Sequence, residues 1–191
     1  MTGNIYLTGF MGTAQFAVNQ FGYMGGGFRR YFLLPTDPSA LLRTGSYTFL
    51  MLSAAIIPVA AIAVALFSPI KLDARMFAMM LGAAVTALFL MHGLALWATL
   101  YGPRRGNFKA SFGNDLSLAG NVVFIGGLVF LIFVPRVLAR VWPVAVAPEN
   151  WSAVVGMAPL AAAFYVISLR HAAVRFRSRR EQILAVIEGR A

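Results

Sequence analysis

The chain has 191 residues, 60% of them hydrophobic and only 12% charged, and the apolar residues recur in blocks too long for the core of a globular domain. Its net charge of +10 comes from arginines at the ends of apolar segments, not along one soluble face, which argues for membrane topology and against nucleic-acid binding. With no cysteine there is no disulfide, no thiolate nucleophile and no cysteine-ligated metal.

These limits predict an all-α polytopic membrane helix bundle. Residues 4–22 form a moderately apolar run, just long enough to span, in which Thr8, Thr13, Gln15 and Asn19 leave the crossing open. It is a candidate fifth transmembrane helix beside four clearer ones. Met1 to Gln20 lacks the basic leader of a cleavable signal peptide, so insertion is expected to rely on the spans themselves.

Residues 23–45 form a polar interruption that reads as a cytosolic elbow. Gly25, Gly26 and Gly27 break any preceding helix, because glycine is costly inside one. Phe28, Tyr31, Phe32 and Pro35 then interleave with Arg29 and Arg30, a composition suited to a membrane surface or a greasy groove on a partner. At roughly 2.5 to 3.5 kcal/mol each on the insertion scale, the two arginines belong in water or headgroups. Asp37 as N-cap and Pro38 at the first helical position predict a helix that leaves the elbow and enters the membrane.

Four uncharged or nearly uncharged segments follow. Residues 46–67 span once, with a kink expected at Pro58. A short turn holding Lys71, Asp73 and Arg75 leads into a second span over 76–100, whose Trp97 and Tyr101 suit an interfacial aromatic belt. Gly102 and Pro103 end it. After a basic loop, Asn114 or Asp115 is expected to cap a third span over 116–134, closed by Pro135 and Arg136. Arg136 to Val146 reads as a short amphipathic interfacial piece, and 152–169 is the last span. Residues 170–191 make a basic tail, in which Ile183, Leu184, Val186 and Ile187 supply one apolar stripe for a membrane or a partner.

Twelve of the sixteen Lys and Arg residues fall in the elbow, the second loop and the tail, and four in the two opposite loops. The positive-inside rule therefore puts elbow, second loop and carboxy terminus in the cytosol. Few residues carry chemistry. His92 and Asn121 are the intramembrane polar candidates, and each reads as an interhelical hydrogen-bonding position more readily than as a reactive one. Asp115 at the head of an apolar run reads as a cap, and His171 at the membrane edge has no partner pattern. Gly120, Gly126 and Gly127 read as close-packing positions. The Asn150-Trp151-Ser152 tripeptide matches a glycosylation sequon, a pattern common by chance. No phosphate-binding loop, metal cluster or nucleophile with its base is present, so no enzyme, cofactor or metal is expected.

The run from Asn19 to Pro38, with N-x-F-G followed by G-x-G-F-R-R-Y-x-L-L-P and a helix start, resembles the cytosolic segment between spans two and three of type-two ATP-binding-cassette exporter permeases. The later order of a span hairpin, the Leu100-Tyr101-Gly102-Pro103-Arg104-Arg105 loop and a short outer piece before the last span is similar too. The resemblance implies a coupling elbow made of Phe28, Arg29, Arg30, Tyr31, Phe32, Pro35, Asp37 and Pro38 that docks on a separate cassette-type ATPase subunit. It further implies export of a substrate across a bacterial inner membrane, a partner permease chain or second copy, and contact with membrane lipids. Family members usually have six spans, so this chain corresponds to the carboxy-terminal part of one. A small structural or assembly subunit of a membrane complex is the alternative reading, and a channel or ion-coupled carrier using His92 and Asp115 is a weaker one, because no second intramembrane charge accompanies the histidine.

Overall fold

The structure is a computed structural model and describes residues 21, 30, 37–67, 73–103, 117–146 and 148–188. Asp37 starts the first helix. Its carboxylate accepts the Ser39 amide at 3.1 Å and its carbonyl accepts the Ala40 amide at 2.9 Å. Pro38, without an N–H to satisfy, takes the first helical position. Helix α1 (Pro38–Phe67) then runs through Pro58 as one element.

Asp73 repeats the device one connection later, accepting the Met76 amide at 2.7 Å to start α2 (Ala74–Tyr101). Gly102 ends that helix by donating its amide to the Ala98 carbonyl at 2.8 Å. Helix α3 (Leu118–Val141) is capped by Ser117, whose hydroxyl accepts the Gly120 amide at 3.1 Å. Asn114 and Asp115, the caps expected from the sequence, lie outside the described residues.

The chain departs from expectation after α3. Pro135 does not close the helix, which continues to Val141. A proline removes only one ladder bond, and breaking the helix in apolar surroundings would strand several backbone groups. The expected amphipathic piece over Arg136 to Val146 is thus divided between the last turns of α3 and a 3-10 turn at Pro143–Val146, with a second at Pro148–Asn150. Helix α4 (Trp151–Glu188) is a single rod of 38 residues, so the expected last span and basic tail form one element. At the helical rise it is about 57 Å long, nearly twice a hydrocarbon core.

The described residues are helical with no strand. Among the described residues three helices, not the four expected, are long and apolar enough to cross a membrane: Ser39–Phe67, Ala74–Tyr101 and Trp151–Glu188. Helix α2 is the centre of the bundle, packed chiefly on α4 and also on α3 and α1. Small residues let α4 come close: a Cβ built on Gly82 would lie 3.0 Å from the Val155 Cα, and one on Gly93 2.5 Å from the Phe164 ring. On α1 the buried small residues Ser39, Ser46, Ser53 and Ala60 recur every seven positions, a straight seam facing the bundle.

Candidate functional site

The largest buried cluster sits at one end of the bundle, where four parts of the chain meet. Phe21 is buried and stacks on Phe176 of α4 with ring centroids 5.0 Å apart. Leu42 from α1, Leu96 and Leu100 from α2, and Tyr165, Leu169, Ala172, Ala173, Ile183 and Ile187 from α4 complete the cluster. The apolar stripe of the tail therefore packs against this chain's own first two helices and not outward. Ile183 and Ile187 are 1% exposed, too little to leave them for a membrane or a partner.

Polar contacts lock the same end. The Arg177 guanidinium donates to both oxygens of Asp37, Nε to Oδ1 at 3.2 Å and Nη2 to Oδ2 at 2.9 Å. This fork, joined by the Ser39 hydroxyl on the same carboxylate, ties the start of α1 to the extension of α4. The guanidinium is the main reason that the Asp37 carboxyl is held well below the usual carboxylate range, with the Ser39 hydroxyl and amide adding to it. Next to it, Arg179 donates to the Leu100 carbonyl at 3.3 Å and lies 4.8 Å above the Tyr101 ring.

A ladder of rings joins α2 to α4 one turn further in. Tyr101 stacks on Trp97, and Trp97 on His171 at 4.7 Å. The Trp97 indole donates to the Ser168 hydroxyl at 3.2 Å, and the Tyr101 hydroxyl lies 3.3 Å from His171 Nε2. His171, which the sequence leaves without a role, is thus a rung between two helices. At the same end Gly102 admits the start of α3, for any side chain there would strike Ser117 and Gly120.

Within the apolar length, Ser46 meets Tyr165 oxygen to oxygen at 3.2 Å, joining α1 to α4. Two turns on, Ser53 lies 3.0 Å from His92 Nε2, joining α1 to α2. His92 is 2% exposed. Asn121 is half-buried in the first turn of α3 and belongs to neither bond. Of the three glycines noted on α3, Gly120 and Gly127 are approached closely, by Gly102 and by Leu94, while Gly126 has nothing within 4 Å.

No family model, curated protein or solved structure matches this chain. Function has to be read from the site itself. Among the described residues no group of three or more His, Cys, Asp or Glu could hold a metal ion. Of the elbow residues singled out in the sequence, Phe28, Arg29, Tyr31, Phe32 and Pro35 lie outside the described residues. Arg30 is exposed, Pro38 opens α1, and Asp37 is held by Arg177. Sequence reasoning missed the partners: Phe176 and Arg177, about two turns past the end of the last apolar segment, carry no signal that they meet Phe21 and Asp37. The recurrence of serine every seven residues along α1 was a legible sign of a packed polar seam.

Proposed function

We propose that this chain is a membrane-embedded permease subunit, or part of one, of an exporter of the type-two ATP-binding-cassette kind, driven by a separate ATPase subunit. The observation that carries the reading is the cluster at one end of the bundle. The Asp37–Arg177 fork ties the end of the elbow to α4, and Leu42 just after it shares one buried cluster with Leu96 and Leu100 of α2, Phe176 of α4 and Phe21, which stacks on Phe176. A push on such an elbow moves three helices as a unit, which is what coupling a remote ATPase to a membrane path requires. In this reading α3, with 24 residues, is a fourth span. The shared end faces the cytosol, in keeping with the charge count, and the membrane is a bacterial inner membrane. Phe28, Arg29, Arg30, Tyr31 and Phe32 form the ATPase-facing part of the elbow, and a second permease chain or copy completes the path. The chain itself hydrolyses no nucleotide.

The test is Tyr31→Ala combined with Phe32→Ala, which removes apolar anchors and keeps the positive charge. The double variant should insert at the normal level, bind a co-expressed cassette ATPase at least tenfold more weakly, and lose ATP-dependent export. Unchanged ATPase binding at normal expression sinks the coupling role and leaves a structural or assembly subunit as the better reading.

A further inference from the structure

Two cross-helix contacts fix how α1 lies against α4. Asp37 meets Arg177, and Ser46 meets Tyr165. Nine residues along α1 therefore correspond to twelve residues back along α4, and Arg43 comes level with about residue 169. The nearest charged side chain on α4 at that level is Arg170. Arg170 stands two turns before Arg177, on the face of α4 that meets the start of α1. Arg43, one turn past Ser39, lies about 60° round α1 from Ser46, whose hydroxyl meets Tyr165 of α4. Both arginines are exposed.

The surroundings of the pair change sharply along the helix axis. One and two turns toward the apolar part, the same flank of α1 shows exposed Tyr47 and Met51, and the same face of α4 shows exposed Val166. In the other direction lie Arg177, already engaged by Asp37, and Glu181, three turns beyond Arg170. Arg175 projects from a different face. No acid on α1 is left for Arg43, since Asp37 is the one described acid near it and is taken by Arg177. Tyr101 and His171, stacked through Trp97, mark the same depth on α2 and α4 as the aromatic edge of the apolar zone.

We propose that Arg43 and Arg170 bind the phosphate of an anionic phospholipid in the seam between α1 and α4, with its acyl chains along Tyr47, Met51 and Val166. Two guanidinium forks at one depth suit a phosphodiester, because arginine is weakly hydrated and offers paired donors. Their aliphatic stems lie along the apolar edge while the charged heads reach the headgroup layer. The headgroup is anionic because the seam holds two unmatched positive charges at one level. This site rests on the chain being embedded in a membrane and not on export, so its failure leaves the coupling reading untouched.

The full chain in detergent can be titrated with a phosphatidylglycerol and a phosphatidylcholine of identical acyl chains, with retained lipid read by native mass spectrometry. Wild type should hold phosphatidylglycerol more tightly. Arg43→Gln with Arg170→Gln should weaken that lipid about thirtyfold, about fivefold for each arginine, with phosphatidylcholine unaffected. Each single variant should show its own share, so a double variant that misfolds does not remove the test. Arg175→Gln should retain the preference. Equal retention of the two lipids by wild type, an unchanged preference in the single variants, or displacement of phosphatidylglycerol by excess inorganic phosphate would each overturn the site, the last by making it a receptor for a free anion.

Discussion

At Asp37 one carboxylate caps α1 and receives both prongs of Arg177. The pair is solvent-exposed, so its direct contribution to stability is small and its value lies in fixing where α4 stands. Charge reversal is the informative change. Asp37→Arg alone should lower the unfolding temperature of the detergent-solubilised chain, and adding Arg177→Asp should recover most of the loss. Because the folded carboxyl is held below its unfolded value, its contribution is complete above the ordinary carboxylate range and is lost only as pH falls through the depressed value. Stability measured from about pH 8 down to about pH 5 should therefore show no step that Asp37→Asn removes. Deeper in the bundle the bond between Ser53 and His92 is shielded from solvent, and its loss should cost about 0.6 kcal/mol and at most about 1.7 kcal/mol, the range measured for such bonds inside membranes. Ser53→Ala followed by chemical unfolding in mixed micelles checks this, and a cost well above that range would mean that the histidine has a further task.

Among the elements, helix starts were legible in the sequence where a cap and a proline coincide, as at Asp37 and Pro38, because that local chemistry needs no tertiary partner. Helix ends were less so. Pro135 looked like a stop and is passed over, and the boundary drawn at Leu169 vanishes inside α4, because hydropathy reports where lipid could lie and not where the helix stops. The tail stripe was legible as a stripe, but its partner was not, since Leu42 and Leu100 are distant in sequence and meet Ile183 only through the fold. The fit of α2 against α4 makes a contrast that tests the packing. Gly93→Ala drives a Cβ into the Phe164 ring and should cost about 1–3 kcal/mol, whereas Gly126→Ala and Gly156→Ala, with nothing within 4 Å, should be neutral or gain up to about 1 kcal/mol from helix propensity. Thermal unfolding of the three variants side by side reads the order directly. Equal behaviour of all three would mean that α2 and α4 are not in close contact.

For the whole molecule the arrangement has a direction. The fork at Asp37, the ring ladder from Tyr101 to His171 and the entry of α3 beside Gly102 gather at one end, while Asp73 and the 3-10 turns before α4 lie at the other. The sequence contains this polarity as an excess of arginine, because the charge bias acts on each loop locally and needs no knowledge of the fold. What it hides is that α4 extends beyond the apolar belt as a rigid strut: from Arg170 to Glu188 the helix adds about 27 Å at the helical rise. If the shared end faces the cytosol, a probe on that strut and a probe at the start of α2 must lie on opposite sides of the membrane. The chain has no cysteine of its own, so single replacements report cleanly. Ser178→Cys, exposed on the strut, should react with a membrane-impermeant maleimide only after the inner face is opened, and Ala74→Cys, exposed beside the Asp73 cap, should react in intact cells. Reaction of Ser178→Cys in intact cells would invert the molecule, place the elbow outside, and remove any route by which a cytosolic ATPase could press on it.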